Sequence, residues 1–230
     1  MPDNGRAMAS APSVRRATRD DVSALASVLA RAFAADPFFA FLAGDAPERG
    51  QRMRDGWVAI LRFASAGLGS TWTTDDRSGA AIWIPPGRPP SSVLDQLRFV
   101  PAFARFTGWS RLRATSAAVE TLERRRHDHL PAAHYYLAAL GVEPERQGEG
   151  IGSALLAPVL EEADASGVPC YLETAVGRNV LLYERHGFDV VEELVLPGTD
   201  VHGWLMLRPP AGAPDPAEAR RARSDRSGPG

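Results

Sequence analysis

The chain has 230 residues, 44% hydrophobic and 23% charged, which is enough for a full core in one domain or at most two small ones. Its 26 basic and 28 acidic side chains leave a formal charge of -2, so no global excess draws it to nucleic acid or to an anionic membrane. No apolar run nears the ~18 residues of a membrane span. Met1 to Pro12 lacks the apolar stretch of a signal peptide, and the expected location is cytoplasmic. The single cysteine, Cys170, excludes an internal disulfide and any site built on several cysteines. All 26 basic residues are Arg, which removes a Schiff-base lysine and a P-loop lysine together.

Residues 1–13 and 209–230 carry almost no large apolar side chains and are expected to be disordered tails around one domain at 14–208. Val14 to Arg16 reads as a first strand. Thr18, Asp20 and Asp21 start a helix with Val22, Leu25, Val28, Leu29 and Phe33 on one face, and Asp36-Pro37 ends it. Gly50 to Phe63 has helical spacing. Thr71 to Thr74 and Ala80 to Ile84 flank the turn-rich Asp75 to Gly79, which predicts a hairpin stopped by Pro85-Pro86. From Ser91 to Arg126 the pattern is helical, with a break near Pro101 or Gly108, and these helices form an insertion before the next strand.

The chemistry concentrates between Tyr135 and Phe188. His134 to Val142 is a strand in character, Pro144 ends it, and the loop Arg146 to Ser153, rich in glycine, leads into the apolar helix that begins at Ala154. Strand, glycine loop and helix aim several N–H groups and the positive end of the helix dipole at one spot, where a phosphate or pyrophosphate is held. The alternative is a tight turn with no ligand. A P-loop fails for want of Lys, and the glycine spacing departs from the dinucleotide fingerprint at Ser153.

The pattern Gln147-x-x-Gly150-x-Gly152, preceded by Leu140-Gly141-Val142, resembles the acetyl-CoA loop of the GNAT N-acetyltransferase superfamily. Asn179 followed by Tyr183-Glu184-x-x-Gly187-Phe188 resembles a second motif of that family. Within it the wording is most similar to puromycin N-acetyltransferase-like proteins, as are Ala17 to Val22, Ala81-Ile82-Trp83 and Leu172-Glu173-Thr174. Asn179 precedes Tyr183 by four residues where many members have seven, a helix shorter by about one turn.

The resemblance implies an α/β (α+β) fold, with a mixed, mostly antiparallel central sheet flanked by helices. A splayed strand pair in that sheet forms the acetyl-CoA cleft. It implies acetyl-CoA as donor, bound by Leu140, Gly141, Val142, Gln147, Gly148, Glu149, Gly150, Ile151, Gly152, Ser153 and Asn179. It makes Tyr183 the acid that protonates the thiolate and Glu173 the base that takes the amine proton. A phenol near 10 protonating a thiolate near 8.5 is uphill by only ~2 kcal/mol. Tyr183 also reads as a core tyrosine, and Glu173 as a solvated or salt-bridged strand carboxylate. Phe33, Trp83 and Tyr135 are candidates for an acceptor pocket, with core packing as the other reading. His127-x-His129 follows three arginines and reads as a solvated turn rather than a metal site.

The expected function is transfer of an acetyl group to a primary amine of a small molecule by direct attack in a ternary complex, in a monomer or homodimer. The rivals are a protein N-terminal or lysine acetyltransferase and a non-catalytic coenzyme A-binding regulator.

Overall fold

The computed structural model describes residues 12–44, 47–64, 70–87, 104, 106–108, 112–130 and 133–213. The expected tails lie outside these residues except at 12–13 and 209–213, and so does most of the expected helical run from Ser91 to Arg111. The elements in order are β1 (Val14–Arg16), α1 (Val22–Ala32), α2 (Pro37–Ala43), α3 (Arg49–Phe63), β2 (Ser70–Thr74), β3 (Gly79–Ile84) and α4 (Leu112–His129). They continue with β4 (Tyr135–Val142), α5 (Ile151–Ser166), β5 (Cys170–Thr174), α6 (Gly177–Glu184), β6 (Asp189–Val195) and β7 (His202–Arg208). The strands form one seven-stranded sheet in the order β1-β2-β3-β4-β5-β7-β6. Every neighbouring pair is antiparallel except β4 with β5.

The sheet is covered on both faces, which is why β4 can be the nearly unbroken apolar run Tyr-Tyr-Leu-Ala-Ala-Leu-Gly-Val. On one face α5 buries Ile151, Leu155, Leu156 and Val159 against Ala81, Trp83, Leu137 and Leu172. On the other, α1 places Leu25, Ala26 and Leu29, and α3 places Met53, Trp57 and Leu61, over Ala80, Ile82 and Ala139. The spacing of Val22, Leu25, Ala26 and Leu29 makes a single stripe of α1, and burying it is what holds the helix to the sheet.

Asp36-Pro37 does end the first helical run, and it also begins α2: the Asp36 carboxylate accepts hydrogen bonds from the N–H groups of Phe38 (2.9 Å) and Phe39 (3.1 Å), with Pro37 in the first turn. Asp21, nominally at a helix start, is 1% exposed. It takes a bidentate pair from Arg15 (2.7 and 3.0 Å), one bond from Arg77 (2.6 Å) and the N–H of Thr18 (2.8 Å). That carboxylate ties β1, the start of α1 and the β2–β3 turn into one unit.

Candidate active site

Two irregularities of β4 open the site. The register against β3 steps between Ile82, paired with Ala139, and Trp83, paired with Leu137, leaving Ala138 as the extra residue of a bulge. Parallel pairing with β5 covers only Tyr135, Tyr136 and Leu137, although β4 runs on to Val142. Beyond Leu137 the two strands part. The N–H of Glu143 donates to Ser78 on the β3 side (2.8 Å), so alternation along the strand turns the main-chain groups of Val142 and Leu140 toward the opening. The Gln147 amide reaches Val142 O from that side (3.3 Å).

The loop after β4 forms the opposite wall. Gly148 (φ 90°) and Gly150 (φ 82°) are left-handed, and a Cβ at either would meet nothing within 4 Å. Conformation rather than crowding therefore demands glycine here. Arg146 stiffens the loop by binding Glu149 (2.9 and 2.8 Å) and Asp76. Gly150 O accepts the first helical bond from Ala154 (3.0 Å), and the N–H groups of Ile151, Gly152 and Ser153 begin α5 without intrahelical acceptors. Such a start suits a phosphate. His186 holds Ser153 Oγ at 2.9 Å; burial first, then Arg185 and Arg208, lower the pKa of its ring and keep it neutral.

Leu140, Gly141, Val142, Gln147, Gly148, Gly150, Ile151, Gly152, Ser153, Asn179, Tyr183 and Phe33 share one open cleft of about 830 Å³. Tyr183 is 5% exposed, with its ring edge-on to Phe188 at 5.9 Å. Burial, and then the nearby charge of Asp36, push its hydroxyl up and keep it protonated. Of the remaining expected residues, the Glu149 side chain turns away to Arg146, and Glu173, Trp83 and Tyr135 are absent from the cleft lining.

Trp83 and Tyr135 follow the core-packing reading: both face α5 in the core, and the Ala138 bulge keeps Tyr135 on the same face as Leu140 and Val142 farther along β4. Glu173 lies on β5 in a layer with Tyr136, Tyr171 and Arg126, whose guanidinium sits 4.4 Å over the Tyr136 ring. Burial raises the Glu173 carboxyl, against Arg126 and the two hydroxyls, which lower it. The end of α4 carries Arg126 and is fastened to β6 by His129 on Glu192 (2.7 Å). Cys170 is fully buried, and burial pushes its thiol up to about 12, which leaves it inert as a nucleophile.

Sequence reasoning missed Asp36, Arg178 and Arg185 on the cleft wall. Arg178 and Arg185 flank the Asn179…Tyr183 motif in sequence, whereas Asp36-Pro37 carries only a helix-stop signal.

The family described as acetyltransferase (GNAT) domain matches residues 113–190, which span α4 to the start of β6 and hold both motifs. An uncharacterized N-acetyltransferase of Schizosaccharomyces pombe is 24% identical over 211 residues, 86% of this chain and 83% of the relative. A Corynebacterium glutamicum structure described as histone acetyltransferase HPA2 and related acetyltransferase superposes with a TM-score of 0.63 at 22% identity, covering 90% of this chain and 99% of the other. The Drosophila melanogaster polyamine N-acetyltransferase superposes with a TM-score of 0.55 at 17% identity, covering 85% and 98%. These likenesses give the chain the fold of GNAT acetyltransferases, with the family's domain model matched over residues 113–190.

Proposed function

We propose that the protein transfers the acetyl group of acetyl-CoA to a primary amine of a small molecule, by direct attack while both are bound. One observation carries the reading: the loop amides suited to a pyrophosphate, the opening between β4 and β5, and Tyr183 all line a single cleft. The residues fit the donor. Gly148 to Ser153 would hold its pyrophosphate, with Arg178, Asn179 and Arg185 on the same wall, and Leu140 to Val142 would lie along its pantetheine arm. Acetyl-CoA supplies the acyl carbon and a thiolate leaving group.

Tyr183 keeps its proton in the free enzyme and gives it where negative charge appears on sulfur. Burial that disfavours the phenolate disfavours a thiolate in the same cleft, so the difference between the two acids counts, and that difference is small. The main-chain N–H groups turned into the opening suit an oxyanion. The inert Cys170 supports direct transfer over an acyl-enzyme route.

Thiol release from acetyl-CoA, measured against a panel of agmatine, spermidine, aminoacyl amides and short peptides, tests the reading. Release with one or more small amines is expected. A silent panel with coenzyme A still bound would favour a non-catalytic regulator, and activity confined to peptides would favour a protein acetyltransferase.

A further inference from the structure

The geometry points to Asp36 as the group that receives the acceptor's primary ammonium and takes its proton. The assignment rests on the acetyl-transfer reading above. Among the described residues lining the cleft, Asp36 is the one carboxylate. The turn after α1 presents it: Asp36 N–H donates to Phe33 O (3.1 Å), and Oδ1 is fixed by the N–H groups of Phe38 and Phe39. Oδ2 makes no hydrogen bond among the described residues, so one oxygen orients the group and the other remains free for a ligand.

Tyr183 lies close enough to feel its charge, which puts acid and base on the same stretch of cleft. The other charged groups on the lining are the guanidinium groups of Arg146, Arg178 and Arg185. Asp36 is thus the lining group that attracts a cation, while Glu173 lies in the layer near Arg126. Burial raises the Asp36 carboxyl, against the N–H bonds of Phe39 and Phe38 that lower it. A carboxylate so placed is a better base than one in water.

In the step itself an N–H bond of the ammonium breaks, an O–H bond to Oδ2 forms, and nitrogen keeps the electron pair with which it attacks. Asp36 later returns the proton to water.

The bland alternative is that Asp36 only caps α2. Asn caps a helix as well as Asp does but is no base, so Asp36→Asn separates the two roles. The sign of the linkage sharpens the test. A carboxyl raised in the folded state contributes stability below its unfolded pKa that is lost as pH rises through the folded value. Asp36→Asn should therefore melt at or above the wild-type temperature at neutral pH and keep its coenzyme A thermal shift. Its kcat/KM for the best amine of the panel should fall ~10² to 10⁴-fold, and the acid limb of the pH profile should vanish.

Carbon-detected NMR of the unliganded protein, assigned with the same variant, should show the Asp36 carboxyl titrating above the ordinary aspartate range. Turnover of Asp36→Asn within about threefold of wild type, or an Asp36 carboxyl titrating at or below the ordinary range, would overturn the assignment. Failure of the wild type to bind coenzyme A would instead remove the acetyl-transfer reading on which it rests.

Discussion

At the scale of single residues, Tyr183 and Gly150 carry different parts of the account. Tyr183→Phe keeps the ring against Phe188 and removes only the hydroxyl. It should lower kcat by ~10² to 10⁴ while coenzyme A affinity changes little, because the lost group acts on charge that develops only as the carbon–sulfur bond breaks. Near-wild-type kcat, with chemistry shown to be limiting by pre-steady-state kinetics, would leave Tyr183 as a core residue. Gly150 acts through its backbone: φ of 82° costs an L-residue ~1 to 2 kcal/mol, and relaxation of that strain would turn the loop amides away from the phosphate. Both residues were legible in sequence because their motifs are local, a few positions along one loop or one helix. Asp36 was not, because which carboxylate meets the cleft is decided by how the turn after α1 docks beside α6.

At the scale of elements, the Asp21 cluster joins three segments distant in sequence. Arg15 holds the Asp21 carboxyl well below the ordinary range, with help from Thr18 and Arg77 against burial. A carboxyl lowered by folding contributes stability above its unfolded pKa that is lost as pH falls through the folded value. Asp21→Asn should therefore destabilise at neutral pH, and the deficit should shrink in acid. Its partners are 34% and 48% exposed and recover water, so the cost is about 2 kcal/mol rather than the larger penalty of a fully buried pair. That corresponds to roughly 4 to 8 °C in a thermal melt; an equal loss at pH 3 and pH 7 would contradict the linkage. The hairpin, α1, α3 and the strand, loop and helix around Gly150 could be read from period and turn residues. The face of Tyr135 relative to the end of its strand could not, since a one-residue bulge at Ala138 reverses the alternation along β4 and nothing in the strand's composition marks it.

At the scale of the whole molecule, the C-terminal end of the sheet is pinned to α5. Asp164 takes a bidentate pair from Arg208 (2.8 and 2.7 Å) and the N–H of Ala211 (2.8 Å). Truncation after Ala213 should leave the melting temperature within ~1 °C, and truncation after Arg208 should cost at most about 1 kcal/mol by removing the Ala211 bond. A larger loss from the first truncation, read by thermal melting, would give the last residues a structural role. The central claim, that the β4–α5 cleft binds the acyl donor, is tested most directly by calorimetric titration of coenzyme A into the wild type and Gly150→Val, with parallel melts. The account predicts one site, a melting temperature raised by roughly 5 to 10 °C at 100-fold saturation, and a loss of roughly 5- to 30-fold in affinity in the variant from the strained loop. No binding heat and an unchanged melt at millimolar coenzyme A in the wild type would contradict it.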